Sequence, residues 1–220
     1  MASSEESYVL QKTVEFGFHP VHSDRMKLSK DGLLAEKKDP HEVYAYGVVY
    51  GHKVLRGTTE FEVEIASYGT GWSGTLKLGV MQQKAGSKFK LEEIPRYSSD
   101  AKNYCMFSSD KLYNRLIGYS ADPERKEYSS INLDSLRKGD CVGMQISHDG
   151  VLIFFVNGKS QGVAAQDVYQ KGFDVYAVVD VYAQCTAVRI TRAGILVITA
   201  VIIKQTVIYN HAYIQFGIVV

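Results

Sequence analysis

Cysteine is scarce in this chain and spaced without pattern. Only three occur, Cys105, Cys141 and Cys185, and none forms a C-x-x-C pair. Such spacing argues against a disulfide scaffold or a clustered thiolate zinc site; the thiols read as small buried hydrophobes in a reducing compartment. An excess of charge of one sign is also lacking. A formal net charge of +1 gives no overall field for a polyanion, so nucleic acid is not an expected partner. Met1 to Ser7 is polar and acidic where a secretory signal would be apolar, and no N-x-[ST] sequon occurs. The expected compartment is the cytosol, with peripheral contact at membranes as a variant. Long apolar runs are missing too. Ala193 to Ile203 has eleven uncharged, largely apolar residues, whereas a bilayer-spanning helix needs about 20, and extending it to Val220 must bury Lys204, Gln205, Asn210, His211 and Gln215.

What is present is ordinary globular composition, 45% apolar and 22% charged over 220 residues, enough for one sizeable domain. Residues 1–10 read as a disordered lead, 11–192 as the domain and 193–220 as a separate tail. Within the domain the pattern is strands and turns. Glu60 to Ile65 alternates strictly, with Phe61, Val63 and Ile65 on one face and three glutamates on the other; that is a strand with one wet face. Leu76 to Val80 repeats the pattern. Val151 to Val156 and Val175 to Tyr182 are apolar throughout and read as strands covered on both sides, Asp180 interrupting the second. Asp31-Gly32, Asp149-Gly150 and Asn157-Gly158 supply hairpin turns. The one helical expectation is about a turn near Asp134 to Lys138. Together these predict an all-β antiparallel sandwich.

Several stretches imitate catalytic motifs and fail on context. Gly69-Thr70-Gly71-Trp72-Ser73-Gly74 matches G-x-G-x-x-G, but a dinucleotide loop must open a helix, and Thr75 to Val80 reads as a strand. A nucleophile elbow at Ser73 fails because Thr75 stands where the second glycine belongs. His19 and His22, three apart on extended chain, face opposite sides, so a metal pair is not expected. No catalytic residue, metal or cofactor is predicted, and the chain is not read as an enzyme.

Loops offer better candidates. Tyr44 and Tyr46 lie between Pro40 and Gly47, and Tyr68 and Trp72 flank the glycine connection; Trp and Tyr are the residues most enriched at binding hot spots. Trp72 can equally be a core plug. A second loop sets Lys84, Lys88 and Lys90 around Phe89, a composition that suits anionic lipid headgroups, although Glu92 and Glu93 weaken its field and a plain solvated loop is the simpler reading. For the tail, three readings stand: extra aggregation-prone strands, a poor membrane anchor, or an artefact of the gene model. Its β-branched content favours strands.

From Phe16 to Ile190 the chain resembles the Neuralized homology repeat, a relative of the SPRY, concanavalin-like sandwich. The resemblance runs through Phe18-His19-Pro20-Val21-His22, Leu28 to Gly32, Gly47 to Tyr50, Phe61-Glu62-Val63 and Gly71 to Val80. It continues through Asn132 to Leu136, Gly139-Asp140, Val142-Gly143, Asp149-Gly150, Phe154 to Gly158 and Gln161-Gly162, closing on Val175 to Tyr182 and Gln184-Cys185. Departures occur where the family has Trp and Asn-Gly and this chain has Tyr104 and Asn114-Arg115, and where Val163 and Ala183 replace a proline and a glycine. The resemblance implies a recognition module for short segments of partner proteins, including Notch-ligand cytoplasmic tails, and in some members phosphoinositides. Full-length members often add a RING finger or another ligase-attachment module; three scattered cysteines cannot build a RING, so a ubiquitin ligase in trans is one further partner class, and whether one is recruited stays open.

Overall fold

The structure is a computed structural model and describes residues 16–41, 47–70, 74–90, 94, 103–117, 124–195, 205–209 and 212–216. Fifteen strands are described: β1 (Met26–Leu28), β2 (Leu34–Lys37), β3 (Val48–Tyr50), β4 (Thr59–Tyr68), β5 (Leu76–Lys84), β6 (Tyr104–Ser108), β7 (Lys111–Asn114), β8 (Glu124–Glu127), β9 (Cys141–Ile146), β10 (Leu152–Val156), β11 (Lys159–Ala165), β12 (Phe173–Val181), β13 (Cys185–Ile195), β14 (Gln205–Tyr209) and β15 (Ala212–Phe216). Two antiparallel sheets carry the domain, seven strands in the order β1-β2-β13-β4-β9-β10-β11 and six in the order β3-β12-β5-β6-β7-β8. The predicted all-β sandwich is the observed fold.

Its core follows from the alternation read in the sequence. Phe61, Val63 and Ile65 of β4 meet Leu76, Leu78 and Val80 of β5, while the rings of Phe107 and Phe154 pack at 5.5 Å, tilted by 43°, between the sheets. Hairpins form at Asp31-Gly32, Asp149-Gly150 and Asn157-Gly158. In the last, both residues have positive φ, 49° and 76°, as a two-residue type I′ turn requires. The expected helical turn is a short 3-10 segment, Leu133–Ser135; the Asn132 side chain caps it by accepting from the Asp134 amide.

Val175 to Tyr182 is largely covered on both faces, with Tyr176 and Tyr182 half-buried, because β12 is central and a second apolar cluster lies outside it. Val48, Tyr50, Met81, Tyr104, Met106 and Val178 form that cluster, with Phe89 and Tyr176 against it. Val151 to Val156 differs from expectation. Leu152, Phe154 and Val156 are buried, but Ile153 and Phe155 are only half-buried. The reason is position: β10 is next to the edge strand β11, and no layer among the described residues lies over its outer face.

At the far end of the chain, β13 runs to Ile195 and pairs Ala193, Gly194 and Ile195 with Phe61, Glu60 and Thr59. The strand therefore extends three residues past the expected domain boundary at 192. In the tail, β14 and β15 form an antiparallel pair of their own. Among the described residues no helix is long and apolar enough to cross a membrane.

Candidate functional site

Strand registers sort the loops into two ends. Tyr68 pairs with Cys185, and Leu76 with Val181. The connection between β4 and β5 therefore sits beside the turn at 182–184. Val48 pairs with Asp180, which brings the start of β3 to this same end, and Cys141 pairs with Glu64, which brings the 3-10 segment there. Lys84 pairs with Phe173, so the lysine loop belongs to the opposite end.

The first end is tied together by backbone. The Gly69 amide donates to the Gln184 carbonyl at 2.7 Å, the Gln184 amide to the Gly74 carbonyl at 3.1 Å and the Tyr182 amide to the Thr75 carbonyl at 2.8 Å. Gly74 is required here twice over. Its φ of 142° is one that L side chains rarely adopt, and a Cβ would lie 2.9 Å from that of Ala183 and 3.0 Å from the Tyr182 ring. Gly74 leads into strand β5 and not into a helix, so the glycine motif joins two strands.

Of the four predicted anchors, Tyr68 is described. Tyr44, Tyr46 and Trp72 lie outside the described residues. A register shift around Ala66 separates Tyr68 from the outward-facing glutamates of β4, and its ring packs against the central core. Its hydroxyl donates to the Gln184 Oε1 and receives an Arg137 Nη1–H at 3.3 Å, with the guanidinium 5.5 Å from the ring centroid. Tyr68 is thus a half-buried rim residue held in one orientation.

Arg137, Gln184 and Tyr182 are participants that sequence reasoning missed. Lys77 Nζ lies 3.2 Å from Asp180 Oδ2 and 4.9 Å from the Tyr182 ring centroid. Asp180, read as an interruption of a strand, is half of a largely buried ion pair. The signal was a lysine in one strand and an aspartate in another, but only the register makes them neighbours. Lys37 was also missed: it is buried and donates from Nζ to the Ala183 carbonyl at 2.9 Å.

At the opposite end Lys84, Lys88 and Lys90 are exposed. Phe89 is not free to enter a lipid surface as it stands, since its ring packs on His19 at 4.4 Å, Tyr50 at 4.9 Å and Tyr176 at 4.8 Å. Exposed Lys53, Arg56 and Lys171 share this end; Arg56 pairs with Asp174 at 2.7 Å. His19 Nδ1 accepts the Val21 amide at 3.0 Å and His22 Nδ1 contacts the Ser23 carbonyl at 2.8 Å. Among the described residues no group of three His, Cys, Asp or Glu is arranged to hold a metal ion. Burial pushes the thiols of Cys105 and Cys185 up to about 12, so neither is a ready nucleophile.

Comparison with known proteins agrees with this geometry. The Neuralized family model matches residues 18–192. Protein neuralized of Drosophila virilis is 24% identical over 179 residues, which cover 81% of this chain and 21% of that protein; the chain spans about a fifth of the length of such relatives. The crystal structure of the Drosophila melanogaster neuralized-NHR1 domain superposes with a TM-score of 0.56 at 18% identity, covering 82% of this chain and 99% of that one. The TRIM65 PSpry domain gives 0.50 at 14% identity, covering 81% and 93%. The match over most of the domain places the chain in the Neuralized family, as a protein-interaction module on a SPRY-like sandwich.

Proposed function

We propose that this domain selects a short, extended segment of a partner protein through the loop end that carries Tyr68, as the recognition part of a ubiquitin-dependent signalling or trafficking system. One observation carries this reading. The described ends of the β4–β5 connection are bonded to the 182–184 turn through Gly69, Gly74, Tyr182 and Gln184, so Tyr68 beside them meets a partner already ordered. Rigid mounting lowers the entropy cost of binding. A ring such as Tyr68, fixed by Gln184 and Arg137, offers large area with few rotors to freeze. Cytoplasmic tails of Notch ligands are the partner class that the family suggests.

The test begins with capture of partners by the full chain and their identification by mass spectrometry. Tyr44→Ala, Tyr68→Ala and Trp72→Ala are then measured for binding and for melting. A surface anchor loses about thirtyfold in affinity, roughly 2 kcal/mol, with a near-normal melt. If all three variants bind normally, or weaken only in step with lost stability, the loop-end reading is wrong.

A second reading is favoured by the opposite end, where Lys53, Lys84, Lys88, Lys90 and Lys171 are all exposed. Anionic headgroups are the matching ligand. Sedimentation with phosphoinositide-containing vesicles, against neutral vesicles, separates this reading from protein recognition. Reversing Lys84, Lys88 and Lys90 to Glu should abolish it.

A further inference from the structure

The outer face of the seven-stranded sheet holds a cleft of about 220 Å³, lined by Glu60, Glu62, Gln145, Phe155 and Arg192, with Gly143 in its floor. We propose that it receives a cationic side chain from an extended segment of a partner protein laid across this sheet. The proposal rests on the reading that the domain binds protein, but it uses a different surface from the loop end.

Four features converge. The first is a mid-strand glycine. Gly143 has no positive φ, so its backbone does not demand glycine; it faces Glu62 across the β4–β9 pair. A Cβ there would sit 3.3 Å from Glu62 Cβ and Cγ, pushing that side chain and filling the hollow. Glycine inside a strand often marks close approach by another chain.

Charge is the second feature. Glu60, Glu62 and Glu64 stand at every second position of β4, about 6.6 Å apart, the repeat of same-face side chains on an extended peptide. Glu62 has Arg192 at 3.7 Å. Glu60 faces Gly194 on one side and Gln145 on the other, so no cation stands directly across from it. The thiol of Cys141 registers the field: burial raises it first, and Glu62, Glu64 and Asp140 raise it further against the opposing Arg192.

Third, the half-buried Phe155 ring forms one wall, a surface on which a guanidinium or ammonium gains when it leaves bulk water. Fourth, an apolar shoulder adjoins it: Ile153 pairs with Val163, which is 54% exposed and is the one large exposed hydrophobic among the described residues. A segment alternating cations with apolar or small residues is complementary to carboxylates on one side and this shoulder on the other.

The probe is a capped nonapeptide alternating Arg and Thr, with its Glu–Thr counterpart as control, titrated into the isotope-labelled full chain. Saturable shifts of the Gly143, Gln145 and Gly158 amides with the Arg peptide alone are expected. Affinity should fall at least tenfold in Gly143→Val and in the Glu60→Gln/Glu62→Gln double variant, and stay unchanged in Tyr68→Ala. Melting curves confirm that the variants fold, and Phe155→Leu gives a second route should Gly143→Val fail to do so. Perturbations confined to Gly69 and Gly74, no saturable shifts, or equal binding by folded Gly143→Val and Phe155→Leu would each overturn the proposal. In the first case protein recognition at the loop end still stands, so the two ideas fail separately.

Discussion

The two outer faces of this sandwich are built on the same two-residue repeat but meet different surroundings. Outside the six-stranded sheet, Tyr50 and Tyr104 share a hydroxyl–hydroxyl bond of 2.7 Å among Met81, Met106 and Val178, and Phe89 folds down upon them. Burial pushes the Tyr50 hydroxyl up to about 12 and raises Tyr104 further. Outside the seven-stranded sheet stand Glu60, Glu62, Glu64, Arg189 and Arg192, half-buried or exposed. The pairs differ in one partner. Lys77 and Asp180 are 14% and 3% exposed, whereas Glu62 is 17% exposed but its partner Arg192 is 68% exposed. One face is a finished interior; over the other no further layer lies among the described residues.

The sharpest way to break that contrast is Asp180→Ala. Removing the carboxylate leaves the Lys77 ammonium in a low-dielectric site, and loss of one partner of a buried pair costs about 3–5 kcal/mol. Urea titration of the folded chain reads this directly. The double variant Lys77→Met/Asp180→Leu should recover most of the loss, because apolar side chains of similar size need no compensating charge. If Asp180→Ala costs no more than an exposed charge, this face is not the interior described above.

Phe89→Ala comes next. The half-buried ring touches His19, Tyr50 and Tyr176, and losing its apolar area should cost about 1–2 kcal/mol. Hydrogen exchange should rise in residues 85–90 and in β3, and stay unchanged in β9 and β10 on the other face. Exchange that rises equally on both faces would refute the layering.

The same contrast explains what was legible in the sequence. Glu60 to Ile65 announced a half-wet strand, because each residue type matched its own environment. Val175 to Tyr182 announced a strand covered on both sides for the same reason. Val151 to Val156 misled because Ile153 and Phe155 are apolar on an open face, and composition cannot say whether an apolar side chain is covered or waiting. The candidate site was harder still. Tyr68 could be singled out as an aromatic beside a turn, but Arg137 and Gln184 reach it across 69 and 116 residues. Such partners become visible only once register is known.

A smaller effect separates the faces by pH. Burial holds the His19 imidazole below its usual value, with the nearby charges of His52 and His22 adding to this and the Val21 backbone opposing it. The unfolded chain then takes up the proton first. Stability is therefore unaffected above about pH 7 and falls as pH drops through the unfolded value near 6.5 towards the lower folded one. His19→Asn should flatten the melting temperature across that window. A slope left unchanged would remove His19 from the account.

The smallest expected effect is Arg192→Ala on the open face, and it sharpens the comparison most because it should be nearly silent in stability. The 68%-exposed guanidinium places its Nε 3.7 Å from Oε1 of Glu62, which is 17% exposed; water around the arginine weakens the Coulomb attraction, which is offset by ordering two flexible side chains. Such pairs contribute about 0.2–1 kcal/mol. Glu62 keeps the Thr191 hydroxyl, which donates to it at 2.9 Å, so the carboxylate is not stranded. Added salt should shrink even this small loss, since exposed pairs are screened within about 8–10 Å at moderate ionic strength. The loss in Asp180→Ala should persist in the same salt. A urea series on both variants at low and at high NaCl makes the comparison. Equal salt sensitivity in the two would mean that the faces share one dielectric environment and that the distinction between a closed and an open face does not hold.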